Sequence, residues 1–371
     1  MKILHLIDAF DARFGRDQIK LVELLEKRGY QNTVITSKYS SDWRFTKKTE
    51  FKSWEKRFSQ TEIIHAPSFK IPTPFSNELS PIYLPSRQIL RNFDIIHAYT
   101  FNTYSSLLGA ASKIIRKSKV VMRSDLSSAT YNKTKNAPFQ RTIATYPFKI
   151  ADAVYTFTFL EKQYLTNLGV NKNKIRVIPV GIDYKKFSKA TITDEDKHVS
   201  IGYVGRLCPQ KGVRRITASL QRILSEEKNA SVTFAGGIED ADYAEEVLAS
   251  LRTYRNFEYL GCLSDVLPFY KMCNIILAPS ILETGAITVL EAMASGKAVI
   301  ASNINPIKEY IEHERTGFLF TEEKEVYLYL KKLIENPKLI KEIGRRARKE
   351  AAKYDWNLII GRYEEMYRSV M

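Results

Sequence analysis

Residues Ala278 to Ala301 read A-P-S-I-L-E-T-G-A-I-T-V-L-E-A-M-A-S-G-K-A-V-I-A. An apolar run ends near Ala278, and a Pro-Ser turn follows it. A helix is expected to begin near Ala286, and Ala298–Ala301 is again a short apolar run. Strand, loop, helix and strand within so few residues mark a parallel α/β unit. Glu283 falls in the loop and Glu291 in the helix, eight positions apart. About five residues of helix, roughly 7.5 Å of rise, separate Ala286 from Glu291. Both carboxylates therefore flank one helix N-terminus. Unpaired N–H groups and the positive end of the dipole suit an anion there. The carboxylates would repel that anion but accept hydrogen bonds from hydroxyls. Ribose hydroxyls, a diphosphate and sugar hydroxyls in series would satisfy all three groups, which is the layout of a nucleotide sugar.

The same alternation extends along the chain. Strand-length apolar runs fall at Ile3–Ile7, Thr33–Thr36, Glu62–His65, Asp94–Ala98, Lys119–Met122, Ala153–Phe157 and Ile175–Ile178. Helical patterns at Gln18–Arg28, Thr103–Arg116 and Leu160–Leu168 lie between them. A second series runs through Val199–Val204, Ser231–Ala235, Phe257–Leu260, Ile275–Ala278 and Ala298–Ala301. Two α/β domains suit a chain of 371 residues. We place the first at 1–187, a polar linker at 188–198, the second at 199–354, and an amphipathic helix at 355–371. The N-terminus M-K-I-L-H-L-I-D is too short an apolar run for a signal peptide and reads as a buried strand. Cys208, Cys262 and Cys273 form no C-x-x-C pair and read as reduced core thiols of a cytoplasmic protein. The five histidines lack metal-ligand spacing, and His5 and His97 lie on buried-looking strands, as core residues rather than ligands.

Charge divides the chain sharply. Residues 1–190 hold 32 Lys+Arg against 15 Asp+Glu, net +17, and residues 191–371 hold 25 against 26, net −1. The first half therefore suits a polyanionic partner. In Phe51-Lys52-Ser53-Trp54-Glu55-Lys56-Arg57-Phe58, Phe51, Trp54 and Phe58 share one helical face, with Lys56 and Arg57 beside it. That pattern fits either a surface helix packing its aromatics on the domain core or peripheral contact with an anionic membrane surface at the inner face of the cell membrane. No RNA-recognition or helix-turn-helix pattern is present, so no nucleic acid is expected as partner.

Two further segments join the paired glutamates. Tyr203-Val204-Gly205-Arg206-Leu207-Cys208-Pro209-Gln210-Lys211-Gly212 places two cations on a Gly-containing turn after a strand, which suits a diphosphate. Phe234-Ala235-Gly236-Gly237 sets a glycine pair after the next strand, as a ligand loop or simply a tight turn.

With V-G-R-L-C-P-Q-K-G, P-S-I-L-E-T-G-A-I-T-V-L-E-A-M-A-S-G-K-A-V and I-P-V-G-I-D, the chain resembles the retaining glycosyltransferases of family 4. The resemblance implies the GT-B fold: two Rossmann-like domains facing across a cleft, with a C-terminal helix returning to the first. It implies a hexose-type sugar moved from a UDP- or GDP-linked donor to an acceptor hydroxyl, without metal or cofactor, on a glycan or lipid-linked acceptor. Catalytic roles would go to Arg206, Lys211 and Glu283. Gly205, Gly236, Gly261, Gly285, Ala286, Ile287 and Glu291 would complete the donor site, with Glu291 at the ribose. Gly15, Arg16, Arg123 and Asp125 would lie on the acceptor side. The family pattern has Gly where Ala286 stands, and often a His after the fifth strand near the acceptor, where this chain reads Met122-Arg123-Ser124-Asp125. Two rivals predict differently: an epimerase or phosphorylase would turn over without a second sugar acceptor, and a nucleic-acid binder would retain polynucleotide on a filter.

Overall fold

The computed structural model describes residues 1–10, 17–38, 55–72, 79–83, 91–116, 118–190 and 198–371. Fifteen strands are present among them. In the first unit they are β1 Lys2–Ile7, β2 Gln31–Thr36, β3 Glu62–His65, β4 Ser68–Pro72, β5 Leu79–Tyr83, β6 Ile95–Ala98, β7 Lys119–Arg123, β8 Ala153–Thr156 and β9 Ile175–Val177. In the second they are β10 Val199–Val204, β11 Ala230–Ala235, β12 Phe257–Tyr259, β13 Ile275–Ala278, β14 Ala298–Ser302 and β15 Phe318–Phe320. Two compact units emerge: Met1–Pro179 with Ile359–Met371, and Val180–Leu358. The structure describes little of the expected linker, since 191–197 lie outside the described residues.

The first unit carries a seven-stranded sheet in the order β3-β2-β1-β6-β7-β8-β9, parallel throughout. The second carries six parallel strands in the order β12-β11-β10-β13-β14-β15. Helices on a parallel sheet bury both its faces, which is why these strands read as continuous apolar runs. β13, Ile-Ile-Leu-Ala, is wholly buried, as is β14. Strand order reverses between β1 and β6 and again between β10 and β13. In open α/β sheets such a switch point opens a crevice at the carboxyl ends of the strands.

The structure adds elements that the sequence patterns do not show. β4 and β5 form an antiparallel pair through Pro72 and Pro81, residues that argue against strands. β15 is only three residues long, too short for a periodicity to register. Cys262 is exposed, correcting its expected place in the core; Cys208 and Cys273 are buried.

His5 and His97 stand opposite one another in the β1–β6 register and are fully buried. His5 Nδ1 lies 3.0 Å from the Tyr99 hydroxyl and its Nε2 3.2 Å from Asn32 Oδ1. His97 Nδ1 lies 2.8 Å from the hydroxyl of Tyr367, in the final helix Trp356–Val370. Tyr155 and the ring of Tyr367 pack edge-on against His97. These are core histidines, as their strands implied.

Burial pushes His5 down to about 4 and His97 well below the usual imidazole value. In the unfolded chain both titrate near 6.5. Below that pH the unfolded state binds more protons than the fold. The stability these histidines preserve is complete above about pH 6.5 and is lost as pH falls toward 4. Buried carboxyls act in the opposite sense, because burial raises Asp8 to about 6 and Glu161 to about 8. Comparing wild type with His5→Gln cancels that carboxyl contribution. The stability difference, from urea unfolding, should shrink by about 2–3 kcal/mol between about pH 7.5 and 4.5. A difference that stays constant with pH would contradict a neutral, buried His5.

Candidate functional site

The site lies at the switch point of the second unit, where the loops after β10 and β13 meet. The first loop carries Gly205, Arg206 and the short 3₁₀ turn Pro209–Lys211. Gly212 ends that turn at φ +65°, and a Cβ there would sit 2.2 Å from the Pro279 carbonyl oxygen. Only glycine allows so close an approach. Ile281 N donates to Gln210 O at 2.9 Å, tying the second loop to the first. Lys211 is thereby brought against Glu283. Its Nζ lies 2.5 Å from Glu283 Oε1, which also accepts from Ser280 Oγ at 2.8 Å. Both side chains are largely buried, 18% exposed for Lys211 and 11% for Glu283, so the pair is better shielded than a surface ion pair.

Beyond Glu283 the helix Ile287–Ala294 begins. Its N-cap, Ala286, is left-handed at φ 44°, ψ 45°, and no side chain caps it. A left-handed alanine costs about 1–2 kcal/mol, which explains why the family pattern favours glycine there. Unpaired first-turn N–H groups at a helix N-terminus favour an anion. Glu291 follows on the same helix and accepts a hydrogen bond from the buried Tyr270 hydroxyl at 3.1 Å. Burial raises the Glu291 carboxyl to about 7, although Tyr270 and Lys186 favour its charged form.

Arg206 takes a different posture. Its guanidinium is half exposed and pairs with Glu239. Its own carbonyl accepts from the Tyr203 hydroxyl at 2.7 Å, which fixes the backbone at this position. Gly236 lies at φ +139°, and a Cβ there would meet the Gly205 carbonyl oxygen at 1.8 Å. Gly236 N donates to Gly261 O at 2.7 Å, so three of the predicted glycines meet as backbone. Their packing accounts for the tight-turn reading of Gly236-Gly237. Gly285 and Ile287 flank Ala286 at the helix start. Ser280, Tyr270 and Glu239 were not singled out from the sequence. The Pro-Ser turn could have flagged Ser280, but Tyr270 lies 21 positions from Glu291 with no local signal. Among the described residues, no three His, Cys, Asp or Glu side chains gather as a metal site.

The first-unit candidates fare unevenly. Gly15 and Arg16, like Phe51 and Trp54, lie outside the described residues. Arg123 is corrected: it is buried, its Nη1 lies 2.8 and 3.1 Å from the Asp17 carboxylate, and it sits over the Phe157 ring. Its charge is compensated within the unit rather than presented to a ligand. Asp125 accepts from Phe101 N at 2.8 Å, and burial raises its carboxyl. Lys56 and Arg57 are exposed. Phe58 is corrected: it is buried, with its ring centroid 5.6 Å from that of Phe10, so it faces the core and not a membrane.

The adjacent glycines separate packing from sequence pattern. Gly236→Ala should lower the stability of the second unit by at least about 2 kcal/mol, since a side chain there is both strained and blocked. Gly237→Ala, which meets nothing within 4 Å, should stay within about 0.5 kcal/mol. Thermal unfolding of both variants decides it, and equal effects would contradict the Gly205–Gly236 contact.

Residues 184–350 match the family described as Glycosyl transferases group 1, and residues 19–186 match Glycosyltransferase Family 4. The chain is 27% identical over 302 residues to N,N'-diacetylbacillosaminyl-diphospho-undecaprenol alpha-1,3-N-acetylgalactosaminyltransferase of Campylobacter jejuni, covering 76% of this chain and 78% of that one. It is 26% identical over 239 residues to the capsular polysaccharide biosynthesis glycosyltransferase CapM of Staphylococcus aureus, covering 60% and 63%. The solved structure of Anabaena HepE in complex with UDP and glucose matches at TM-score 0.75 and 18% identity, over the full length of both chains. That likeness shows the fold, which is GT-B. With both halves matched and the family's motifs gathered at one switch point, the chain belongs to the group 1, family 4 glycosyltransferases and is a glycosyltransferase.

Proposed function

We propose that this glycosyltransferase moves a hexose-type sugar, with retention, from a UDP-linked donor to a hydroxyl of a lipid-linked glycan at an anionic membrane surface. The carrying observation is the Lys211–Glu283 pair at an uncapped helix N-terminus, with Glu291 one helical stretch beyond. A diphosphate takes the helix N–H groups, Lys211 and Arg206, the last by leaving Glu239. Glu283 accepts from sugar hydroxyls and Glu291 from the ribose. The UDP donor and lipid-linked acceptor are supported by HepE, solved with UDP, and by the Campylobacter jejuni relative, named for an undecaprenol diphosphate. No described helix is long and apolar enough to cross a membrane.

In the reaction the bond from sugar C1 to the diphosphate oxygen breaks as the acceptor oxygen bonds C1 from the same face. The acceptor proton passes to the departing diphosphate. Positive charge grows on the sugar and negative charge on the leaving group. Lys211, Arg206 and the helix dipole stabilise the latter. Arg206→Ala and Lys211→Ala should each lower kcat/KM by about 10²–10³-fold, and turnover should survive excess chelator. Near-normal turnover in both variants, or chelator loss rescued by Mg²⁺, would refute the proposed site.

Glu291 gives a pH test of nucleotide binding. Its carboxyl, raised to about 7, is ionised above that pH and protonated below. The ionised form offers more acceptors to the ribose. UDP binding, by calorimetry, should therefore weaken by several-fold from about pH 7.5 to 6. Glu291→Gln should bind UDP weakly with only the pH dependence of UDP itself. Glu283→Gln should spare UDP while weakening the UDP-sugar. An unchanged pH slope in Glu291→Gln would remove Glu291 from the ribose.

A further inference from the structure

The helix Pro138–Ile150 has two apolar faces. Ala144, Pro147 and Phe148 face the core, as an amphipathic helix requires. Phe139, Ile143 and Tyr146 recur at i, i+4 and i+7 on the opposite side, yet they are 78%, 41% and 47% exposed. The neighbouring helix Tyr104–Arg116 packs against it and repeats the anomaly, with Leu107, Ile114 and Ile115 at 46%, 59% and 79% exposed. Single exposed apolar residues are ordinary, but paired helical stripes mark an interaction surface.

The charge around these stripes selects the partner. Residues 95–151 hold nine Lys+Arg and one acid, Asp125. From 126 to 151 there are four basic residues and no acid at all. Lys133, Lys135 and Lys149 are exposed, and Arg116 ends the neighbouring helix. Asp152, which follows this stretch, is taken by Lys113 at 2.6 Å. Exposed aromatic and aliphatic side chains on a stretch whose exposed lysines have no ion pair among the described residues match an anionic bilayer: the apolar groups enter the headgroup boundary and the cations stay at the phosphates.

We infer that the outer faces of Tyr104–Arg116 and Pro138–Ile150 dock this protein on an anionic lipid surface. The inference rests on the membrane reading proposed above and relocates its contact from residues 51–58 to these helices.

Co-sedimentation of the full chain with phosphatidylcholine–phosphatidylglycerol vesicles, and with phosphatidylcholine alone, tests it. Wild type should pellet with the anionic vesicles and release as salt rises. Ile115→Ser/Phe139→Ser/Ile143→Ser should partition at least about tenfold less, while transferring sugar to a short-chain, water-soluble acceptor at the wild-type rate. Lys133→Glu/Lys135→Glu/Lys149→Glu should lose the preference for anionic vesicles. Lys56→Glu/Arg57→Glu should bind as wild type does. If wild type never pellets, both this surface and the membrane reading fall. If wild type pellets and the serine variant binds equally, only this surface is overturned. If wild type is a dimer without vesicles and the serine variant a monomer, the stripes are a self-contact and the inference is wrong.

Discussion

The approach of two backbone loops at the end of β10 and β13 is the constraint on which the site depends. Gly212 lies so close to the Pro279 carbonyl that no side chain fits between. That contact places Lys211 within 2.5 Å of Glu283, although they are 72 positions apart in sequence. Each charge compensates the other without ligand, so neither is left desolvated alone, a cost that would otherwise reach several kcal/mol. Ser280 gives the same carboxylate oxygen a second hydrogen bond. A preorganised pair of this kind does not need to reorganise much as charge develops.

The strained Ala286 follows from the same geometry. The chain must turn sharply from the Glu283 loop into the helix Ile287–Ala294, and a left-handed N-cap accomplishes it. Strain held at such a point is offset by the surrounding packing, here a helix whose inner residues Val289, Leu290, Ala292 and Met293 are buried. Glu291 is anchored from outside this segment, by Tyr270 of the helix Leu267–Met272. One wall of the site is thus rigid backbone and the other a hydrogen bond to a buried phenol.

The first unit handles charge differently. Several of its buried polar groups pair with one another: Arg123 with Asp17, Glu161 with the N–H groups of Leu126 and Phe157, His5 with Tyr99 and Asn32. Burial raises the Glu161 carboxyl to about 8 and pushes both histidines below the usual imidazole value. Among the described residues of this unit Arg123 is the only buried Lys or Arg, so the other described cations lie at or near the surface.

Most of the parallel strands were legible in the sequence because sheets buried on both faces demand unbroken apolar runs, as in β13 and β14. The helix Trp356–Val370 was legible from its 3.6-residue period. The clustering of Gly205, Lys211, Glu283 and Glu291 was legible from the family's motif order. Local rules could not show β4, β5 and β15, whose prolines and brevity carry no pattern. They also misplaced Arg123, Phe58 and Cys262, since whether a charged, aromatic or thiol side chain is buried depends on what packs over it. An amphipathic period names two faces of a helix but not which one meets the core. Residues 51–58 and 139–146 both carry aromatic stripes, and only packing shows that Phe58 turns inward while Phe139 turns outward. The sequence alone determined the alternation of elements and the chemistry available at their ends, because periodicity and residue type are local. The tertiary structure decided the partners, Ser280 and Tyr270 for the glutamates and Asp17 for Arg123, because such contacts join residues distant along the chain.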